Sequence, residues 1–538
     1  MAWTFVLAAL AVAAPAAAQK RSSATPSAKS GATVHSKSRA DVALFRERVE
    51  GVLKNPHARQ ASWGILVEDR DTGEVLYERD ADRLFTPASN TKLFTSVAVL
   101  ALLGPDYRFH TTLESGGVLG DDGRLSGDLI LVGRGDPDLS NRKFPFGWKA
   151  EFDGPVDKVL AELADAAVAK GLKAVEGDIV ADDSYFLYDP VPAGWSFGDL
   201  YFTYGAPVSA IAFNDNSVNI EIRPGAKEGD AAAASVEPAA ASPAVLNAIK
   251  TAPVGSRLEF GVTHAAQSGF FYVFGTIPIG HEPARLDLAM QHPAQTAAET
   301  LRQLLQARGV RVRESIRVVH GTPAVTCQGI RAKAVLPACL AAAPPKNSLV
   351  LAEHVSPPLV EGVRVMNKIS HNLHAELYLR AIAREKKGVG ATDPGVWAVE
   401  DFLKSIGIAE GDVSLTDGSG LSENNLVAPR AVVALLRYAA QQPWGADFIS
   451  TLPIAGVDGT LEDRFRGTAA ARGVEAKTGG LEHVHALSGY ATTLTGEHLI
   501  FSILENNSGQ KGRDATTSVD AITVAMVETL GVLPSRKR

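Results

Sequence analysis

Ser89 and Lys92 stand three residues apart in Ser89-Asn90-Thr91-Lys92, a spacing that stacks a hydroxyl and an amine on one face of a helix. A serine hydroxyl attacks a carbonyl well only when a base takes its proton, and lysine is such a base only if burial or a neighbouring cation lowers its pKa. A helix N-terminus at the serine would also supply backbone N–H groups for an oxyanion. The chemistry on offer is acyl transfer through a serine ester. Alone, the pair carries little weight, because an N-capping serine ahead of a surface lysine gives the same text. Two further elements change that: Ser370-His371-Asn372 lies within an apolar-periodic run, and Lys477-Thr478-Gly479, followed by Gly480, lies in a strand-like run.

These residues need rigid carriers. Thr86-Pro87-Ala88-Ser89 leads into Leu93, Phe94, Val97, Leu100 and Ala101 on one face, ending at Gly104-Pro105, so a buried helix with the serine at its N-terminus is predicted. Ser62 to Glu68 and Glu74 to Tyr77, joined through Asp71-Thr72-Gly73, read as two strands and a tight turn. Val474 to Gly480, His485 to Thr493 and His498 to Glu505 read as an antiparallel meander. Val363 to Arg384, with Met366, Ile369, Leu373, Leu377 and Leu379, reads as one helix carrying the second element. Ala431 to Ala439 is another helix, and Asp514 to Leu530 a closing one. Residues 41–105 and 350–538 together make roughly 250 residues, a natural size for one domain, and 106–349 is then an insertion. The insertion is β-rich, with alternating runs such as Val218 to Ile222 and an apolar run from Phe270 to Phe274, interrupted by helices at Val156 to Lys170 and Ala294 to Arg308. Gly229 to Ser242, alanine-rich, is expected to be a loop or linker.

The 538 residues are 46% apolar and 21% charged, which supplies buried cores and excludes a wholly disordered chain. A net charge of -7 offers no basic field for a nucleic acid. Residues 1–18 form an apolar stretch closed by Ala16-Ala17-Ala18, read as a secretory signal too short to span a bilayer, so an exported protein of the periplasm or cell envelope is expected, without a stable membrane span. Residues 19–40, rich in Ser, Ala, Thr and Lys, read as a flexible tether.

The order S-x-x-K, S-x-N, K-T-G is that of the serine β-lactamases and penicillin-binding proteins. The sequence resembles more narrowly the D-alanyl-D-alanine carboxypeptidase/endopeptidases, the low-molecular-mass class C penicillin-binding proteins. That resemblance rests on Thr86 to Leu93, Asp417-Gly418-Ser419-Gly420-Leu421-Ser422 and Gly456-Val457-Asp458-Gly459-Thr460-Leu461, and, within the insertion, on Gly135-Asp136-Pro137, Tyr204 to Ala210 and Asn214-Asp215-Asn216-Ser217. Ser89 and Ser370 stand 281 residues apart, which does not suit compact single-domain β-lactamases. His371 stands where family members often have Asp.

The resemblance implies an α/β (α+β) fold: a β-lactamase/transpeptidase-like catalytic domain with an antiparallel sheet flanked by helices, plus β-rich inserted domains. It implies that Ser89 attacks the carbonyl of the penultimate D-alanine of a peptidoglycan stem peptide, with β-lactams as covalent inhibitors. Lys92 would be the base, Ser370 a proton relay to the leaving amine, and Asn372 a partner for the substrate backbone. Lys477 and Thr478 would bind the terminal carboxylate in the strand continued by Gly479 and Gly480, and the N–H groups of Ser89 and Gly480 would form the oxyanion hole. No metal or organic cofactor is needed for this chemistry. A non-catalytic cell-wall sensor and a β-lactamase or esterase on the same fold remain the alternatives.

Other features have plainer readings. His483 and His485 alternate on a strand face but lack a third ligand nearby, Arg134-Gly135-Asp136 belongs to a turn, and Asp417 and Asp458 beside glycines are expected to shape loops. Cys327 and Cys339 are expected to be disulfide-bonded in an oxidising compartment.

Overall fold

The computed structural model describes residues 39–531 apart from 148, 265–269, 314, 323–347, 511–513 and 515. The expected signal segment, most of the tether and both cysteines lie outside the described residues.

Five strands form the sheet that carries the third motif: β1 (Ser62–Asp69), β2 (Val75–Arg79), β3 (Val474–Leu481), β4 (Val484–Thr492) and β5 (His498–Asn506). Their spatial order is β2-β1-β5-β4-β3, antiparallel throughout. The strand period of two sorts their side chains onto opposite faces. Leu66, Ile500 and Leu504 face one core, and Ile65, Val67, Leu499, Phe501 and Ile503 face the other. The second core is covered by α1 (Ala40–Leu53) and the C-terminal α7 (Thr517–Thr529), through Phe45, Val49, Ile522 and Met526. The first is covered by α2 (Thr91–Leu103), α3 (Leu359–Lys368), α4 (Asn372–Lys387), α5 (Thr392–Ser405) and α6 (Pro429–Ala440). A sheet buried on both faces explains why β1 is buried almost throughout rather than on alternate residues. Fully burying a side chain such as Phe501 contributes about 1.5–3 kcal/mol.

The chain between α2 and α3 builds a second body. A five-stranded sheet runs Ile316–Gly321, Ile179–Leu187, Leu129–Val132, His110–Ser115 and Leu349–Val355 in spatial order, beside two three-stranded sheets. Helices Lys158–Ala169 and Pro293–Ala307 pack into its apolar core through Leu160, Leu163, Leu301 and Leu305. Leu349–Val355 pairs with His110–Ser115, so residues expected to open the second catalytic segment instead close this sheet. The chain rejoins the helical layer only at α3. The alanine-rich stretch after Gly229 also departs from the loop expected of it, because Ala233–Glu237 is a strand paired with Ser217–Arg223. Backbone pairing there does not need large side chains.

Candidate active site

The first motif begins in a single 3-10 turn, Ala88–Asn90, which continues into α2. Lys92 is fully buried one turn after Ser89, with its Nζ 3.0 Å from the Ser89 Oγ. Nζ also donates to Asn372 Oδ1 and to the Ser419 carbonyl, both at 2.6 Å. A neutral amine has two N–H bonds and one lone pair. With both N–H bonds spent on these two acceptors, the lone pair is left for the Ser89 hydroxyl. Burial lowers the Lys92 pKa to about 7 against the opposing pull of Asp417 and Glu376. The Glu376 carboxyl is itself pushed up to about 8 by burial and by Asp417, which removes much of the negative charge that would hold Lys92 protonated.

The second motif departs from the helix expected through Val363 to Arg384. α3 stops at Lys368, Ser370 takes a left-handed φ of 59°, and α4 starts at Asn372 with His371 as its N-cap. On an unbroken helix, residues two apart point to different sides. The break instead lets Ser370 meet Lys477 while Asn372 meets Lys92, and a left-handed serine costs of order 1–3 kcal/mol that the surrounding contacts must offset. Asn372 reaches across to the intervening segment as well, donating from Nδ2 to the Tyr204 carbonyl at 2.8 Å.

The third motif lies on β3, an edge strand whose free side faces the Ser89 turn. Lys477 is fully buried and donates from Nζ to Ser370 Oγ at 2.8 Å and to the Thr478 carbonyl at 2.9 Å. Burial, followed by the nearby Lys92, holds its pKa well below the usual lysine range. Thr478 Oγ1 lies 2.7 Å from Thr460 Oγ1, and Asn90 Nδ2 donates to the Lys477 carbonyl at 3.1 Å. A Cβ on Gly479 would come within 2.6 Å of the Pro87 carbonyl oxygen, and one on Gly420 within 1.9 Å of the Ala88 carbonyl oxygen. Both glycines therefore allow backbone to close around the serine turn. Beside Gly480 a Cβ would meet nothing within 4 Å.

Ser89, Lys92 and Asn372 form one hydrogen-bonded group and Ser370, Lys477 and Thr478 a second, and Asn90, next to Ser89, ties them into one site through the Lys477 carbonyl. Sequence reasoning gave no role to three groups that complete it. Glu376 accepts from the Gly418 and Ser419 N–H groups at 3.0 and 2.8 Å, which aims the Ser419 carbonyl loop. It lies four residues after Asn372, a one-turn spacing that could have singled it out. The Ser419 and Tyr204 carbonyls leave no such trace, since backbone acceptors are indifferent to side-chain identity.

Asp417 and Asp458 shape loops, as expected of them. Asp417 is buried and accepts from the Gly420 and Ser422 N–H groups, Asn425 Nδ2 and Trp195 Nε1. Asp458 accepts from Ile454 N–H and forms a buried ion pair with Lys368 at 2.5 Å, two residues before Ser370. Removing one partner of a buried ion pair costs about 3–5 kcal/mol. Asp458→Ala is therefore expected to lower the unfolding free energy from denaturant titration by a correspondingly large amount, while a value within about 0.5 kcal/mol of wild type, the range over which exposed changes scatter, would refute that role. His483, by contrast, contacts the Ser508 carbonyl through Nδ1 at 2.7 Å.

Comparison with known proteins places the whole fold in a family. The sequence model of the D-Ala-D-Ala carboxypeptidase 3 (S13) family matches residues 45–327 and 322–526. A D-alanyl-D-alanine carboxypeptidase of Actinomadura sp. (strain R39) is 34% identical over 498 residues, covering 90% of this chain and 85% of that protein. A D-alanyl-D-alanine carboxypeptidase of Haemophilus influenzae is 29% identical over 445 residues, covering 81% of this chain and 84% of that one. The crystal structure of penicillin-binding protein 4 from H. influenzae superposes with a TM-score of 0.73 at 26% identity, over 89% of this chain and 98% of that chain. A structure of the same protein complexed with a β-lactam gives 0.69 at 24% identity, with the same coverage. With the family model spanning nearly all of the described chain, and a relative above 30% identity over most of both lengths, the chain belongs to the D-Ala-D-Ala carboxypeptidase 3 (S13) family.

Proposed function

We propose that Ser89 is the nucleophile of this serine hydrolase and Lys92 its base, acting on peptidoglycan stem peptides that end in D-Ala-D-Ala. The observation that carries the reading is the buried Lys92 amine, 3.0 Å from Ser89 Oγ, with a pKa near 7. The neutral amine takes the hydroxyl proton as Oγ bonds to the carbonyl carbon of the penultimate D-alanine. The N–H groups of Ser89 and Gly480 hold the resulting oxyanion. The C–N bond then breaks, and the departing D-alanine nitrogen receives a proton through Ser370, which is hydrogen-bonded to Lys477. Water hydrolyses the ester and regenerates Ser89. The unit built on β1 to β5 and the helices α2 to α6 carries these groups, and the intervening segment contributes through Tyr204. A β-lactam presents the same carbonyl and carboxylate, so it acylates the same oxygen. Among the described residues no helix is long and apolar enough to cross a membrane, and we place the enzyme outside the cytoplasm, in the periplasm or cell envelope, where stem peptides are found.

The test measures D-alanine release from diacetyl-Lys-D-Ala-D-Ala beside cleavage of crosslinked peptidoglycan fragments. Release of D-alanine supports a carboxypeptidase, cleavage of the crosslink adds endopeptidase activity, and neither product would sink both in favour of a sensor or scaffold. Rapid turnover of a bound penicillin would instead favour a β-lactamase.

Lys477 gives a narrower prediction. It lies where a terminal carboxylate would meet the edge of β3, and an arriving carboxylate would draw its depressed pKa upward. A charge-assisted hydrogen bond is worth roughly 1.5 to 3 kcal/mol, so Lys477→Ala should lower kcat/KM by about 10- to 150-fold. Wild type should prefer the free acid over the C-terminal amide of the same peptide, and the variant should lose most of that preference. Equal discrimination in both would move carboxylate recognition elsewhere.

A further inference from the structure

We propose that Asp215, His371 and His374 form a binding site for one divalent transition-metal ion of the zinc class, clamping the second motif to the segment between α2 and α3. His371 is the N-cap of α4, His374 lies on its first turn, and Asp215 comes from a turn of the intervening segment. One ligand atom from each residue lies within 4.8 Å of the others.

The histidine contacts to Asp215 are too long for good hydrogen bonds, and the one from His374 has the separation of two ligands on one ion. His374 Nε2 is 3.5 Å from Asp215 Oδ1, and His371 Nε2 is 3.6 Å from Asp215 Oδ2. Metal–ligand bonds of about 2.0–2.1 Å in a tetrahedron put neighbouring ligand atoms roughly 3.3–3.5 Å apart. The His374 side chain is fully buried, yet neither of its ring nitrogens has a hydrogen-bond partner, and Asp215 Oδ1 lacks one too. Buried polar atoms left unpaired are costly, and one ion would satisfy His374 Nε2 and Asp215 Oδ1 together.

The donor set suits the ion. Arg142 donates to Asp215 Oδ2 at 2.6 Å, fixing the carboxylate while leaving Oδ1 free. Ligation by His371 Nε2 places its proton on Nδ1. The 3.4 Å contact that Nδ1 now accepts from the His374 N–H is long and weak enough to yield. Two imidazoles and one carboxylate favour zinc over magnesium or calcium, which prefer all-oxygen sets. The ion plays no part in acyl transfer. It would brace the turn that sets Ser370 and Asn372.

The test titrates full-length, chelator-stripped protein with zinc chloride by calorimetry, and with cobalt chloride by visible absorption. Wild type should bind one ion and give the intense visible bands of four-coordinate cobalt. His371→Asn, Asp215→Asn and His374→Asn should each weaken zinc by at least about 10- to 100-fold, the loss caused by removing even an outer-shell partner. His483→Gln should bind as wild type does. Circular dichroism of each apo variant confirms its fold, and His371→Asn, the partly exposed position, supplies the comparison if His374→Asn does not fold. Absence of a bound ion in wild type at micromolar zinc would overturn the site, as would unchanged affinity in the folded variants.

Discussion

Ser89→Ala is expected to abolish covalent labelling by a fluorescent penicillin and to reduce D-alanine release by about a million-fold, the scale of removing a serine nucleophile. The basis is local: Ser89 Oγ is the hydroxyl that meets the Lys92 amine, at 3.0 Å. The substitution removes one oxygen from a turn whose backbone is held by α2 and by the close approach of Gly420 and Gly479. Thermal stability should therefore stay near wild type. Intact-protein mass spectrometry gives the decisive reading, because wild type should gain the mass of one penicillin and the variant none. Labelling of the variant at wild-type stoichiometry would show that the nucleophile is elsewhere.

The Lys92 amine carries the second large effect. Lys92→Ala removes the proton acceptor, and general-base catalysis is worth on the order of 10²–10⁴ in rate, so the acylation rate constant should fall by that much. The pH profile of wild type tests the same claim without mutation. A base works unprotonated, so with the Lys92 pKa near 7 acylation should be nearly flat above neutrality and should drop about tenfold per pH unit well below it. In Lys92→Ala that inflection should disappear. Retention of both the rate and the inflection would remove Lys92 from the role of base and point to another titrating group. Asn372 and Ser419 serve as a check on the geometry, since they hold the amine at 2.6 Å each. Asn372→Ala should move the inflection by releasing one of these constraints, and an unmoved inflection would mean that burial alone sets it.

Much of this site was legible in the residues themselves. Ser89 and Lys92 are one turn apart, so a helix was enough to bring them together, and their contact survives at 3.0 Å. The strand character of Lys477 to Gly480 followed from its alternating neighbours, and β3, β4 and β5 form the expected meander. The closing helix α7 was likewise written in periodicity, because burial against a sheet imposes a period on the helix that covers it.

What the residues could not give was whatever depends on contacts distant in sequence. The break at Ser370 is invisible to periodicity, since Met366, Leu373 and Leu377 keep apolar spacing on both sides of it. It is set by Lys477, 107 residues away, and by Lys92, which is held by Asn372 from 280 residues away. The lysine pKa near 7 is likewise a tertiary property: the identity of residue 92 supplies the amine, but only complete burial, beside a Glu376 carboxyl itself pushed up to about 8, brings it that low. The pairing of Leu349–Val355 with His110–Ser115 across the intervening segment was hidden for the same reason. So was the meeting of Asp215 with His371 and His374. Sequence alone supplied the candidate groups and the elements that carry the first and third motifs, because hydrophobic spacing and one-turn neighbours are local. Tertiary structure decided their protonation, their mutual aim and the partners that hold them, because burial and electrostatics sum over the whole fold.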